Sequence, residues 1–352
     1  MKVETSIKTI LMCAALTLCS CTKKPITPAE DPQPAPIGFT AASQAALVKS
    51  DTRATTSLSE FHQDFGVWGI ARHPLNMPYI LWDDNNLAEV RNDGSGVYTP
   101  VSNAYWFNEF TYNFIAIAPY NSGLSNLNIN SATNSLSFDY DIANKYAIKG
   151  TEGKLPKDHY EFDLMGAVER TTYTKGQSST QNLIFWHLFS KISIKVQFVN
   201  ESGTAITTAA VSQIRIAKVD SKRNLEIGYV TPATSNIGNL SVTCSALTPT
   251  TPETTLYINA SDPKDEDGRW NVHILPQRIS DIELQIDYSI TEGDKTINYS
   301  DVIKLTNSQP ADYISNETYN WNIKITPKGP IEFKVSVDPW NETPVGDEVT
   351  II

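Results

Sequence analysis

The stretch Lys191-Ile-Ser-Ile-Lys-Val-Gln-Phe-Val199 alternates polar and apolar residues over nearly its whole length. Because successive side chains of a β-strand point to opposite faces, this period of two predicts a strand with one apolar and one polar face. Its apolar positions are mostly β-branched or aromatic, the residue types that strands favour. The stretch therefore predicts an antiparallel strand that covers a core on one side and faces water on the other.

Similar short runs recur along the chain from Ile37 onward. Examples are Phe65-Gly-Val-Trp-Gly-Ile70, Tyr112-Asn-Phe-Ile-Ala-Ile-Ala118, Ile282-Glu-Leu-Gln-Ile-Asp-Tyr-Ser-Ile290 and Ile331-Glu-Phe-Lys-Val-Ser-Val337. Extended helical periodicity is nearly absent, and the 20 prolines and 17 glycines supply many turns. Short strands joined by many turns are typical of β-sandwiches, so the sequence predicts an all-β protein.

The N-terminus carries a targeting segment. Lys2 and Lys8 flank the start of an apolar run that ends at Leu18 and is too short to cross a bilayer as a helix. The run closes with Leu18-Cys19-Ser20-Cys21, which resembles a bacterial lipobox, although Cys19 is an unusual residue at its position. The resemblance implies a signal peptide over residues 1–20 and a lipid such as palmitate on Cys21. Ordinary secretion with cleavage near Ser20 is the alternative.

A proline-rich tether and two β domains are predicted after the signal peptide. Residues 21–36 are rich in proline and polar residues, which favours an extended, solvated spacer. A polar stretch over residues 174–181 separates two patterned regions. We therefore predict an N-terminal β-sandwich over residues 37–178 and a C-terminal β-sandwich over residues 179–352.

Charge and cysteine content exclude some classes of function. The formal net charge is −11, and no cluster of lysine and arginine is present that could contact phosphates, so we expect no nucleic-acid partner. Of the four cysteines, two belong to the predicted signal peptide and Cys21 is the predicted lipid site. Cys244 remains, so no intrachain disulfide is expected, and its apolar neighbours predict that it packs as a small hydrophobic residue.

Several landmarks, in this order, resemble the fimbrillins, specifically their Mfa-like branch. They are the lipobox at Cys21, an arginine before the first core strand in Asp51-Thr-Arg-Ala-Thr-Thr56, then Phe65-Gly-Val-Trp-Gly69, Phe114-Ile-Ala-Ile-Ala-Pro-Tyr120, Asp163-Leu-Met-Gly-Ala167, the run from Phe185 to Val196, Leu275-Pro-Gln277, and Tyr319 to Ile325 followed by Ile331 to Trp340. The resemblance covers nearly all of the chain after the signal peptide.

The resemblance implies a fold and a mode of action. Fimbrillins have two transthyretin-like antiparallel β-sandwich domains in tandem, are exported as lipoproteins, and assemble into fimbriae at the outer membrane and cell surface. In polymerising members an arginine-specific protease removes an N-terminal segment with its first strand, and a strand from the next subunit fills the vacated groove. This is β-augmentation, in which an open sheet edge supplies unpaired backbone groups.

Mapped onto this chain, the cleavage position is Arg53, with Ala54 as the new N-terminus. Residues 37–53 would contain the removable strand, with Phe39, Leu47 and Val48 as its apolar plugs. An ordinary solvated loop arginine is the alternative for Arg53.

The resemblance also implies partners, and leaves the place of the subunit in the fimbria open. The expected partners are other fimbrial subunits, of the same or an accessory kind, membrane lipid through Cys21, and a host protein or glycan. The tail Pro344-Val-Gly-Asp-Glu-Val-Thr-Ile-Ile352 could donate a short strand or finish the subunit's own sheet. Stalk, tip and anchor roles stay open, with a slight preference for an accessory or tip subunit.

The sequence predicts no enzyme and no cofactor. The five histidines lack the close spacing of a local metal site, no nucleophile elbow or P-loop is present, and His187 is predicted to be a core or interface histidine. The acidic run Asp262-Pro-Lys-Asp-Glu-Asp-Gly268 does not match an EF-hand loop and is interpreted as a turn.

A surface glycan-binding lipoprotein is the alternative function. Exposed aromatic side chains on a β-sandwich could stack against sugars. Trp82 and Trp340 border predicted turns and are the candidate surface residues. Four other tryptophans lie in apolar alternation and are predicted to be core residues: Trp68, Trp106, Trp186 and Trp321.

Overall fold

The computed structural model describes strands, turns and loops in the greater part of the chain. The described residues are 34–43, 64–73, 75, 78–83, 85–92, 94–120, 122–142, 163–229, 240–247, 253–265, 267–278, 282–305, 312–326, 331–340 and 349–351. None of these residues forms a helix, and accordingly none belongs to a helix long and apolar enough to cross a membrane. The predicted all-β class is confirmed.

The described strands are numbered in chain order. They are β1 Gly38–Ser43, β2 Phe65–Arg72, β3 Tyr79–Ile80, β4 Ala88–Asn92, β5 Tyr98–Pro100, β6 Thr111–Ala118, β7 Ser125–Asn130, β8 Ser135–Asp141, β9 Met165–Thr172, β10 Thr180–His187, β11 Ser190–Phe198, β12 Ala209–Asp220, β13 Lys222–Tyr229, β14 Leu240–Ser245, β15 Glu253–Asn259, β16 Trp270–Ile274, β17 Gln277–Arg278, β18 Glu283–Glu292, β19 Lys295–Lys304, β20 Asp312–Tyr313, β21 Glu317–Ile325, β22 Ile331–Pro339 and β23 Val349–Ile351.

The first sheet closes on itself. Its strands pair in the order β2-β4-β5-β1-β10-β9-β6, and β6 pairs back onto β2, while β3 adds a short pairing to β2. We call these seven paired strands the ring. Closure removes free sheet edges, so every strand of the ring has a hydrogen-bonded neighbour on both sides over part of its length. β1 is therefore an internal strand of this sheet.

The ring encloses an aromatic core. The inward side chains come from alternate positions, such as Phe65 and Val67 on β2, Phe114 on β6, and Leu183 and Phe185 on β10. The outward side chains of β2 and β6, including Trp68 and Ile117, belong to a second core that extends through the remaining sheets. Both faces of β2 and β6 are consequently buried. The prediction of one polar face per strand is wrong for these two strands, whose sequences lack regular polar alternation.

Three further sheets, of four, four and five strands, build the second core. Their strand orders are β14-β13-β8-β7, β15-β12-β18-β19 and β16-β11-β21-β22-β23. Strand β11 contains the alternating stretch that begins at Lys191, and its buried Ile192 and Ile194 face this core as the period of two predicts. A two-stranded sheet of β17 and β20 completes the described strands.

Two strand pairs run in parallel. β1 pairs with β10 and β11 pairs with β21 in parallel register, whereas the other described pairs of strands are antiparallel. The antiparallel arrangement predicted from the sequence therefore fails at these two places. Parallel partners are separated by long stretches of chain, and their pairing depends on tertiary packing that local alternation does not report.

The sheets combine strands from both predicted domains. Residue 178 falls in the connection between β9 and β10, which are neighbours in the ring. β8, from the predicted N-terminal domain, pairs with β13 over Lys222–Gly228, and so joins the sheet of β13 and β14. The aromatic core of the ring thus requires residues on both sides of the predicted boundary.

Candidate functional site

The candidate site is β1, which fills the gap between β5 and β10. Its six residues form a continuous parallel ladder with β10, from the pair Gly38 and Thr180 to the pair Ser43 and Phe185. Its other edge meets β5 at one pair, Phe39 and Tyr98. The backbone of β1 is therefore held mainly by β10.

The residues just before β1 clamp its N-terminal end. The Ile37 amide donates to the Ala104 carbonyl at 2.8 Å, and the Trp106 amide donates to the Ala35 carbonyl at 2.9 Å. The Gly38 amide donates to the Ser179 carbonyl at 3.0 Å on the β10 side. These bonds fix where β1 enters the ring, and so fix its register against β10.

Phe39 is the central side chain of β1 in the ring core. It has no exposed surface, and its ring lies edge-on to Phe114 at 5.3 Å and to Phe65 at 6.0 Å between centroids. Trp82 lies 6.5 Å away. Aromatic pairs at these separations add to the burial of a large apolar surface, so Phe39 contributes strongly to holding β1 in place.

Gly69 of β2 leaves space for the side chains of Leu81 and Trp82, which we call the cap of the ring core. A Cβ atom at Gly69 would lie 2.7 Å from Leu81 Cδ1, 2.9 Å from the Trp82 ring and 3.0 Å from Phe114 Cδ1. The missing side chain lets Leu81 and Trp82 approach the ring interior. The Trp82 indole nitrogen donates to the Ser102 carbonyl at 2.7 Å, and this bond fixes the indole beside Phe39.

The phenol of Tyr98 belongs to the same core. Its ring lies 5.3 Å from Phe65, and its oxygen accepts a hydrogen bond from the Asn92 side chain at 3.3 Å. Burial, together with the negative charge of Asp64, raises the pKa of Tyr98 to about 12. The phenol therefore stays neutral at physiological pH, and the ring core carries no charge at this position.

The structure places some of the predicted site residues and not others. Phe39 lies in the ring core, and Ile37 and Ala41 are buried beside it on the same face. Ile37 and Ala41 were not among the predicted plug residues, although their alternate spacing with Phe39 was the available signal. The other predicted residues lie outside the described part of the chain: Cys21, Leu47, Val48, Arg53 and Ala54.

Trp340 is buried, which corrects its prediction as a surface aromatic residue. It is 8% exposed and stacks on His187 with a centroid separation of 4.0 Å and an interplanar angle of 8°. His273 contacts the same indole at 4.7 Å. The position follows a strand end and therefore resembled a turn, but side chains distant in sequence cover it.

The prediction for His187 as a core histidine is confirmed. Its Nδ1 atom lies 2.5 Å from Oδ2 of Asp163, and both residues are buried. Within the described part of the chain, no group of three or more histidine, cysteine or acidic residues has an arrangement that could hold a metal ion. The imidazole of His187, held by Asp163, stacks on the indole of Trp340.

Two further sequence interpretations concern reactive or acidic groups. Cys244 is partly buried and packs against the second core, as expected for a small hydrophobic residue, and desolvation raises the pKa of its thiol to about 12. In the acidic run, Asp265 accepts bonds from the amides of Asp267 and Arg269 and from the Asn271 side chain. Its carboxylate is used to close a turn, which confirms the turn interpretation.

The described surface carries exposed aromatic side chains at another place. Tyr79 and Phe107 are 53% and 41% exposed and lie edge-on at 6.3 Å. Phe110 continues the contact from Phe107 at 5.6 Å, and His73 lies 5.0 Å from Phe110. We call these four residues the surface aromatic group. Trp82, which was the predicted surface residue, is partly exposed and also packs against the core of the ring.

Comparison with known families identifies the chain. A sequence model described as fimbrillin-like matches residues 52–340, which is most of the chain. The chain belongs to the fimbrillin-like family. This confirms the resemblance found in the sequence. Curated protein sequences contain no significant match.

Solved structures share the fold of this fimbrillin-like chain. A fimbrial protein from Bacteroides vulgatus ATCC 8482 is similar with a TM-score of 0.55 at 13% identity, covering 87% of this chain and 99% of that one. A protein from Bacteroides ovatus ATCC 8483 with a cell-adhesion designation is similar with a TM-score of 0.51 at 13% identity, covering 88% and 99%. At these identities the similarity concerns the fold.

Proposed function

We propose that this fimbrillin-like protein is a structural subunit of surface fimbriae that assembles by exchange of β1. The precursor is exported, acylated at Cys21 and held at the outer membrane. Cleavage after Arg53 separates the N-terminal segment, with β1, from the rest of the chain. A strand from another subunit then occupies the place of β1 between β5 and β10. The two tandem transthyretin-like sandwiches implied by the family belong to the same proposal.

The position of β1 is the observation that carries this proposal. β1 is an early segment of the chain, yet it is an internal strand of the closed ring and buries Phe39 completely. Its departure would expose unpaired backbone groups of β10 and an apolar groove lined by Phe65 and Phe114. Such an edge with apolar pockets is the kind of site that binds an added strand. The N-terminal segment thus acts as a plug until cleavage.

The experiment is limited proteolysis of the intact precursor followed by a non-denaturing gel. Treatment with an arginine-specific protease is expected to trim the chain after Arg53 and to give a ladder of oligomers, alone or with partner subunits. The matched control is Arg53→Ala, which should remain full length and monomeric. A wild-type chain that is trimmed after Arg53 but stays monomeric with every partner subunit contradicts strand exchange.

Glycan binding is a second candidate function, because the surface aromatic group offers exposed rings at one place. Aromatic rings bind sugars by stacking, and Tyr79 and Phe107 are accessible for such contacts. Retention on a polysaccharide gel should fall in the double variant Tyr79→Ala/Phe107→Ala. The control Ile297→Ala removes an exposed apolar side chain from β19 and should leave retention unchanged. Equal retention of all three proteins removes the surface aromatic group from consideration.

A further inference from the structure

The backbone contacts of β1 define the direction in which a strand can occupy its groove. On one edge, β10 provides a ladder along the whole strand, and on the other edge β5 provides one pair. Since β10 supplies nearly all of the backbone contacts, an occupant with the same contacts as β1 must run parallel to β10. The clamp formed by Ala104 and Trp106 then lies at the N-terminal end of the occupant.

The inward side chains of β1 also differ in size: in chain order they are medium-sized, large and small. Ile37, Phe39 and Ala41 face the ring core and are buried. Phe39 lies in the aromatic pocket formed by Phe65, Phe114 and Trp82, and its β10 neighbour is the partly exposed Gln181.

The next inward position has larger neighbours on β10. Ala41 is paired with Leu183, and the following residue of β1, Ser43, is paired with Phe185; both of these β10 side chains are fully buried. The methyl group of Ala41 therefore fits beside the large, buried Leu183 of β10. The phenyl group of Phe39 fits where its β10 neighbour, Gln181, is partly exposed.

Exchanging these two sizes would be unfavourable at both positions. A methyl group in the pocket of Phe39 would leave a cavity, which destabilises in proportion to its volume. A phenyl group at position 41 would collide with a close-packed wall that includes Leu183, and overpacking also destabilises. A strand inserted in the opposite direction with the same residues would meet the same mismatch.

We propose that the groove selects its incoming strand by direction and by side-chain order. The partner is an extended segment of another chain that runs parallel to β10. It presents, at three alternate positions, a branched aliphatic side chain, an aromatic side chain and a methyl-sized side chain. This inference rests on the proposed function, because it requires that β1 leaves the ring and is replaced.

The test uses the full chain with a specific-protease recognition sequence inserted after residue 53, so that cutting does not depend on Arg53. The cut protein is mixed with excess synthetic peptides of residues 35–43, and displacement of the original segment is followed by a fluorescent label on that segment. The wild-type peptide is compared with the double variant Phe39→Ala/Ala41→Phe, which has the same composition in a different order.

The wild-type peptide should displace the segment, and the reordered peptide should bind at least about 100-fold more weakly. Equal displacement by both peptides overturns the selection by order while leaving strand exchange intact. Failure of the wild-type peptide to displace the segment contradicts the proposed function itself, because the cut protein would then not exchange β1 for another strand.

A disulfide trap tests direction separately. In a background with all four cysteines replaced by serine, and under mild air oxidation, a peptide with Gly38→Cys is offered to the cut protein carrying either Thr180→Cys or Ile184→Cys. Residue 38 pairs with residue 180, and a Cβ atom there would lie 3.8 Å from Thr180 Oγ1, whereas residue 184 pairs with Ala42. Parallel insertion gives a disulfide with position 180. A dominant disulfide with position 184 overturns the proposed direction.

Discussion

Replacing Phe39 with alanine should loosen β1 far more than any other single change on that strand. Phe39 has no exposed surface and contacts aromatic rings on two other strands of the ring. Because the ring is closed around it, its neighbours can collapse only partly into the space that it leaves. Removal of a buried phenylalanine in such a setting costs about 3–5 kcal/mol.

Hydrogen exchange at the amides of β10 measures how much less tightly β1 is held. An opening that separates the whole of β1 from β10 also withdraws Phe39 from the ring core. Phe39→Ala should therefore accelerate exchange of those amides by roughly 100- to 4000-fold, since each 1.4 kcal/mol is a factor of ten. The readout is hydrogen–deuterium exchange followed by mass spectrometry of peptides that cover β10.

The matched control is Thr40→Ala on the opposite face of the same strand. Thr40 donates an exposed hydrogen bond to Asn182 at 3.1 Å, and removing an exposed bond of this kind costs about 1 kcal/mol or less. We expect an acceleration of less than about 5-fold. Equal acceleration in the two variants would refute the claim that Phe39 is the main anchor of β1.

Three further predictions concern packing and protonation. Gly69→Ala should lower stability by about 1–3 kcal/mol in chemical denaturation because its Cβ atom would collide with the cap of the ring core, whereas Gly38→Ala, whose Cβ atom has 3.7 Å to its nearest neighbour, should change it little; equal losses would be inconsistent with the cap. Cys244 should resist modification by a thiol reagent at pH 8, because burial raises the pKa of its thiol to about 12, and rapid labelling of the folded protein would show that this thiol is accessible. Burial, aided by the charge of Asp338, raises the pKa of Glu317 to about 7 from an ordinary value of 4.5, so the folded state retains a proton that the unfolded state has lost, and stability should fall as the pH rises from about 4.5 to 7. Glu317→Gln should flatten this fall and the exposed-site control Glu332→Gln should not; an unchanged slope in Glu317→Gln would exclude Glu317 as its source.

The sequence predicted local structure better than it predicted partners. The alternation in the stretch from Lys191 correctly predicted strand β11 and its buried face, and the acidic run at Asp265 correctly predicted a turn. Both features depend on residues close together in the chain. Phe39 was predicted from the resemblance to the fimbrillins, and the structure places it at a fully buried position of β1.

Features that depend on distant residues were missed. The parallel pairing of β1 with β10 joins segments more than 100 residues apart, and no local pattern encodes it. The burial of Trp340 depends on His187 and His273, which come from other strands. The small size of Ala41 acquires meaning only beside Leu183. Direction and side-chain order in the groove therefore required the structure.

The most direct test of the account is the composition of assembled subunits. The precursor is treated with an arginine-specific protease, oligomers are isolated, and the mass of each subunit is measured by mass spectrometry. The account predicts that subunits within oligomers begin at Ala54 and that the segment containing β1 is absent from them. Oligomers whose subunits retain residues 38–43 in place would contradict the exchange of β1.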